Sequence, residues 1–115
     1  MISIEEDRDL LKVHVMGEFT VSDFKELEDA VTGELQLTPK IKLLIDLTQM
    51  SGFTIDMAWE DIKFTREHAH DFQRIAIVSG DQWTTWLSWL NSAFTDAQLQ
   101  IFADEADASN WALAG

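Results

Sequence analysis

The sequence predicts an α/β fold built on a mostly parallel sheet, and three observations carry that reading. The run Ile41-Lys42-Leu43-Leu44-Ile45-Asp46-Leu47 is nearly unbroken in its apolar character. A second run, Ile75-Ala76-Ile77-Val78, is equally short and rich in branched residues, as strands buried on both faces are. Between them, from about Ile55 to Phe72, apolar residues recur at three- and four-residue spacing, the period of a helix. A helix joining two buried strands is a βαβ crossover.

The other elements follow in chain order. Ile2 and Ile4 alternate with polar neighbours, which makes a short first strand. Asp7-Arg8-Asp9 is a turn, after which Leu11, Val13 and Val15 alternate with Lys12, His14 and Met16. This is a half-buried second strand, hairpinned with the first and ended by Gly17. Thr20 or Ser22 caps a helix over about 20–33, with Asp23 and Glu26 suited to its positive end. Phe24, Leu27, Ala30 and Val31 form its apolar face. Gly33 closes it, with Leu35 and Leu37 as a loose continuation.

Pro39, the one proline, precedes the first buried strand, and Thr48 to Gly52 reads as the turn after it. The central helix spans about 55–72, with Thr54 as its N-cap. One stripe holds Ile55, Ala58, Trp59, Ile62, Ala69 and Phe72; a second, mixed stripe holds Met57, Asp61, Phe64 and His68. After Val78, Asp81 caps a helix over about 82–94. Trp83, Trp86, Leu87, Leu90, Ala93 and Phe94 share a broad face there, with Trp89 at its margin. Leu99 to Phe102 is a last strand, and Asp104 caps a final helix over about 104–113 bearing Ala108, Trp111 and Ala112. A chain of 115 residues that is 46% hydrophobic forms one domain around one sheet, covering residues 1–115.

Charge narrows the partners. Eight Lys and Arg stand against 21 Asp and Glu, a net charge of −13, and no basic residue follows Arg74. Such a field repels phosphate backbones and anionic headgroups, so neither nucleic acid nor an acidic membrane surface is an expected partner. With no cysteine there is no disulfide, thiolate metal site or cysteine nucleophile. The acidic opening Met1-Ile2-Ser3-Ile4-Glu5-Glu6-Asp7 does not read as a signal peptide. No apolar run approaches the roughly 20 residues of a membrane span. A cytoplasmic protein is expected.

Several short pieces, in this order, resemble a known family. They are Gly17-Glu18-Phe19-Thr20 with Asp23-Phe24, Ile45-Asp46 with Gly52-Phe53, and Trp59-Glu60-Asp61-Ile62-Lys63-Phe64. His68, Phe72-Gln73-Arg74-Ile75-Ala76-Ile77-Val78, Trp83 and the closing Phe102, Ala108 and Trp111 continue the pattern. The chain is similar over Gly17 to Trp111 to the SpoIIAA-like proteins, a bacterial branch of the STAS (anti-sigma-factor antagonist) fold. The resemblance implies a single STAS-like domain: successive βα units in a parallel sheet, with an extra N-terminal antiparallel edge strand. It also implies a kinship with CRAL-TRIO lipid-binding domains. The better-known STAS proteins are switched at a serine in a D-S-S-G turn; here the segment is Gln49-Met50-Ser51-Gly52, shorter and with one serine. The segment Val78-Ser79-Gly80-Asp81 is also one residue longer than its counterpart in relatives.

The chemistry-bearing residues support binding more than catalysis. Glu67-His68-Ala69-His70-Asp71 resembles a metal cluster, but residues two apart on a helix point in different directions, so no metal site and no cofactor are expected. Asp46, Ser51, Ser79 and Asp81 are expected near the carboxyl ends of the central strands, where open α/β sheets place ligands. No nucleophile or phosphate-binding glycine loop accompanies them, and no catalytic residue is assigned. Three tryptophans on a helix of roughly twelve residues exceed one buried stripe. Met57, Phe64, His68, Trp86 and Trp89 are therefore expected to line a groove or a subunit contact. Ser51 and Thr54, at a helix N-terminus that favours added negative charge, are candidate phosphorylation sites. The expected function is a non-enzymatic STAS-like module acting through protein–protein contact, a homodimer included. The alternative is a carrier of a small apolar or lipid-like ligand held between the central and Trp-rich helices.

Overall fold

The structure is a computed structural model, and it describes residues 1–38, 40–54, 71–80 and 98–114. Five strands form one sheet in the order in which they occur in the chain. They are β1 (Ile2–Asp7), β2 (Leu10–Phe19), β3 (Ile41–Phe53), β4 (Phe72–Val78) and β5 (Gln98–Phe102). β1 pairs antiparallel with β2, and every other pairing is parallel. The described helices are α1 (Val21–Leu35) and α2 (Glu105–Ala114). The mostly parallel sheet with an antiparallel edge strand is thus as expected. The helices expected over about 55–72 and 82–94 lie outside the described residues, except for Asp71 and Phe72 at the end of the first.

Alternation along the strands sends side chains to two cores. On one face Leu11, Val13 and Val15 of β2 join Leu43, Leu47 and Ile77 of the neighbouring strands, and Phe24, Leu27 and Val31 of α1 cover them. At about 1.5–3 kcal/mol per fully buried branched or aromatic side chain, this face supplies most of the described apolar burial. On the other face Leu10, Leu44, Ala76 and Val78 meet Ala108 and Ala112 of α2. The small residues recur at four-residue spacing, so α2 lies close against the sheet along a narrow seam.

Local chemistry sets the boundaries. Arg8 takes a positive φ of 60° in the tight β1–β2 turn. Thr20 is the N-cap of α1 and closes a capping box: its hydroxyl accepts from the Asp23 N–H at 3.3 Å, and the Asp23 carboxylate accepts from the Thr20 N–H at 3.1 Å. Of the two expected caps, the β-region backbone of Thr20 selects it. Asp104 caps α2 as expected, accepting from the Ala106 N–H at 2.8 Å.

Four boundaries differ from expectation. β2 does not stop at Gly17 but passes through it, with φ 69°, to Phe19. β3 does not turn at Thr48; it continues to Phe53 alongside β2. Register shifts after His14 and after Gly17 insert extra residues into β3, so its buried and half-buried apolar positions fall at Leu47, Met50 and Phe53 rather than alternating. Three-residue spacing with polar residues between resembles a turn until the partner strand is known. α1 runs past Gly33 because Leu35 packs on the core; carbonyls of Gly33 and Glu34 then accept from Gln36 and Leu37 at 3.3 and 2.9 Å. Phe72, expected in the central helix, opens β4 opposite Ile41 and is fully buried.

Candidate functional site

Two rows of residues cross the sheet on the face that carries α2. Leu10, Lys42, Arg74 and Gln98 are paired neighbours in one row; His14, Asp46, Val78 and Phe102 are neighbours in the other. The rows lie four residues apart on each strand, roughly 13 Å at strand rise. The 10 residues of α2 span roughly 15 Å, so the helix reaches from one row to the other.

Its carboxyl end meets the basic row. The Arg74 guanidinium donates to the Trp111 carbonyl at 2.6 Å and lies 4.6 Å from the centroid of the Trp111 ring. The Lys42 ammonium is buried beside the helix end, 3.5 Å from the Leu113 carbonyl and 2.9 Å from the Asp9 carboxylate. That ammonium holds the Asp9 carboxyl below its ordinary range, against the opposing effect of desolvation. α2 has no basic residue in its own last turn, so two strands supply the cations its negative end favours.

The amino end of α2 meets the other row. Nε2 of His14 contacts Oε1 of Glu105, from the first turn of the helix, and lies 4.0 Å from Oδ2 of Asp46. The other Asp46 oxygen accepts from the Thr48 N–H at 2.9 Å and the Thr48 hydroxyl at 2.6 Å. All three side chains of the cluster are partly exposed. A concavity of about 210 Å³ opens beside it, lined also by Ser3, Met16 and Gln49.

A different surface forms between β1 and the carboxyl end of α1. Ile4, Leu11, Ala30 and Leu37 give this groove of about 370 Å³ its apolar floor and side, while Glu5, Glu6 and Glu34 line it with carboxylates. Leu37 is 82% exposed. Glu34 shares a hydrogen bond with Glu6, and that bond, with burial and their mutual repulsion, raises the Glu34 carboxyl above its ordinary value. No basic residue stands in the last turn of α1.

The expected site residues are placed only in part. Met57, Phe64, His68, Trp86 and Trp89 lie outside the described residues, as do His70 and Asp81. Asp46 lies beside Val78, the residue before Ser79 at the end of β4, but it sits within β3 rather than at that strand's expected carboxyl end. A further concavity of about 320 Å³ opens by Ser79, Thr48 and Gly80. Ser51 is not with them. It is exposed at the second register shift, carried away from Asp46 by the paired extension of β2 and β3. Thr54 follows that extension, its N–H donating to the Phe19 carbonyl at 3.2 Å. Sequence reasoning missed His14 and Glu105, which stand 91 residues apart. The one signal was Asp46, a carboxylate within the apolar run that opens β3.

Known proteins place this architecture. A family model described as SpoIIAA-like matches residues 10–113. An uncharacterised protein of Shewanella loihica PV-4 with a SpoIIAA-like fold is 30% identical, with a TM-score of 0.76, covering 96% of this chain and 91% of that one. An anti-sigma factor antagonist from Mycobacterium paratuberculosis superposes with a TM-score of 0.61 at 16% identity, over 98% of this chain and 93% of that one. The anti-sigma factor antagonist SpoIIAA in its unphosphorylated form gives a TM-score of 0.65 at 9% identity, over 100% and 99%. These two share the fold. No curated protein matches the chain. Because the family match runs from the start of β2 to the last turn of α2, it takes in the whole parallel sheet and both described helices: the chain belongs to the SpoIIAA-like family.

Proposed function

We propose that the protein is a cytoplasmic, non-enzymatic regulatory module that works by binding another protein, and that it takes a cationic, amphipathic segment of that partner in the groove between β1 and α1. Membership of the family supports the class of function, since proteins of this fold include anti-sigma factor antagonists. One observation supports the surface. The negative end of α1 carries no cation, has Glu34 in its last turn, and faces Glu6 across a groove that ends at an exposed leucine. Each of these is unfavourable in the free protein: a helix carboxyl end favours cations, like charges repel, and Leu37 remains in water. A lysine- or arginine-bearing segment with one apolar face relieves all three together. α2 marks the contrast, since Lys42 and Arg74 already satisfy its equivalent end.

The test compares the wild type with a Glu6→Lys/Glu34→Lys variant and with Leu37→Asp in capture from a host extract, at low and moderate salt. The expected outcome is one protein retained by the wild type, released as salt rises, and lost in both variants while their melting transitions stay cooperative. Retention of that protein by the charge-reversed variant excludes the groove. Loss from neither variant, with an added small apolar mass on the native protein, moves the function to a carrier.

A further inference from the structure

We infer that His14, Asp46 and Glu105 form a binding site for one divalent first-row transition ion, independent of the groove at α1. Among the described residues these three are the group of His and carboxylate side chains whose ligating atoms converge, each offering one atom and all three atoms lying within 4.8 Å of one another. The donors come from β2, β3 and the first turn of α2. An imidazole nitrogen with two carboxylate oxygens suits Zn²⁺, Fe²⁺ or Mn²⁺ better than Ca²⁺ or Mg²⁺, which favour all-oxygen sets.

Three further features fit a metal. Two carboxylates face one imidazole, so a dication meets an anionic site within a chain of net charge −13. Thr48 fixes the other oxygen of Asp46 with two hydrogen bonds, the outer contact that orients a metal-bound carboxylate. The concavity beside His14 and Asp46 gives water or an added ligand access to the ion, as sites with three protein donors require. Glu105 is 41% exposed on its side chain and free to swing from His14 onto an ion between them. Because the ion bridges the sheet and α2, its binding stabilises the docked helix.

The test uses the full chain, freed of metal by chelation, titrated with Zn²⁺ alone and with Co²⁺ as a spectroscopic probe at moderate salt. One equivalent binds, visible Co²⁺ bands appear, and the melting temperature rises with Zn²⁺. His14→Gln and Glu105→Gln each lower affinity at least tenfold and abolish the bands. Thr48→Val, which leaves all three donors, weakens binding by about tenfold. Asp29→Asn, an exposed carboxylate on α1, leaves affinity unchanged. Binding of equal strength in His14→Gln, several weak equivalents lost equally in every variant, or no binding at all overturns the site.

Discussion

Glu34 meets Glu6 in the groove beside α1, where the two carboxyl groups share a hydrogen bond. The bond, burial and repulsion together raise the Glu34 carboxyl above 4.5. For a carboxyl raised in the folded state, the cost to stability is present at pH above the folded value. It is relieved as pH falls through that value towards the unfolded one. Glu34→Gln keeps a donor for Glu6 without the charge. Urea unfolding is therefore expected to show the variant more stable than the wild type at pH 7, with the gap closing as pH falls through the raised value and gone by about 4.5. A gap that widens on acidification contradicts the assignment. The same substitution leaves Leu37 and Glu6 in place, which separates stability from partner binding.

At the scale of elements, α2 is a helix of 10 residues whose ends are matched by the sheet. Isolated helices that short are marginal in water, so its docking decides its stability. Arg74 contributes a charged hydrogen bond to the Trp111 carbonyl and a contact over the Trp111 ring, while the Phe102 ring lies 5.6 Å from the other partner of that stack, Trp111. Arg74→Met keeps most of the apolar stem and removes both polar contacts. It is expected to lower stability by about 1–2 kcal/mol, read from chemical denaturation monitored by tryptophan fluorescence. Asp9→Asn is expected to cost much less, because Asp9 is largely exposed.

Across the whole molecule the two faces of the sheet are packed differently. Bulky residues of α1 fill one core, whereas Ala108 and Ala112 let α2 sit against Leu44 and Ala76. Ala108→Leu inserts three carbons into a position with no exposure. It is expected to destabilise the fold by about 1–3 kcal/mol in urea titrations. It also lifts the first turn of α2 from the sheet, so the Zn²⁺ affinity of the His14, Asp46 and Glu105 cluster falls with it.

The amino-acid sequence by itself determined the strands' existence, the antiparallel hairpin, the cap of α2 at Asp104 and the family, and it narrowed the cap of α1 to Thr20 or Ser22. These are local or ordered signals: alternation, capping chemistry and motif order are written in neighbouring residues. Only the tertiary structure decided how far β3 runs, because register shifts against β2 replaced alternation at Leu47, Met50 and Phe53. Only it moved Phe72 from a helical stripe to a strand, where pairing with Ile41 outweighs spacing. The Ile4, Glu6, Glu34 and Leu37 groove and the meeting of His14 with Asp46 and Glu105 were likewise decided there. Their members are brought together by parallel pairing and helix docking, and spatial neighbours of that kind leave no pattern along the chain.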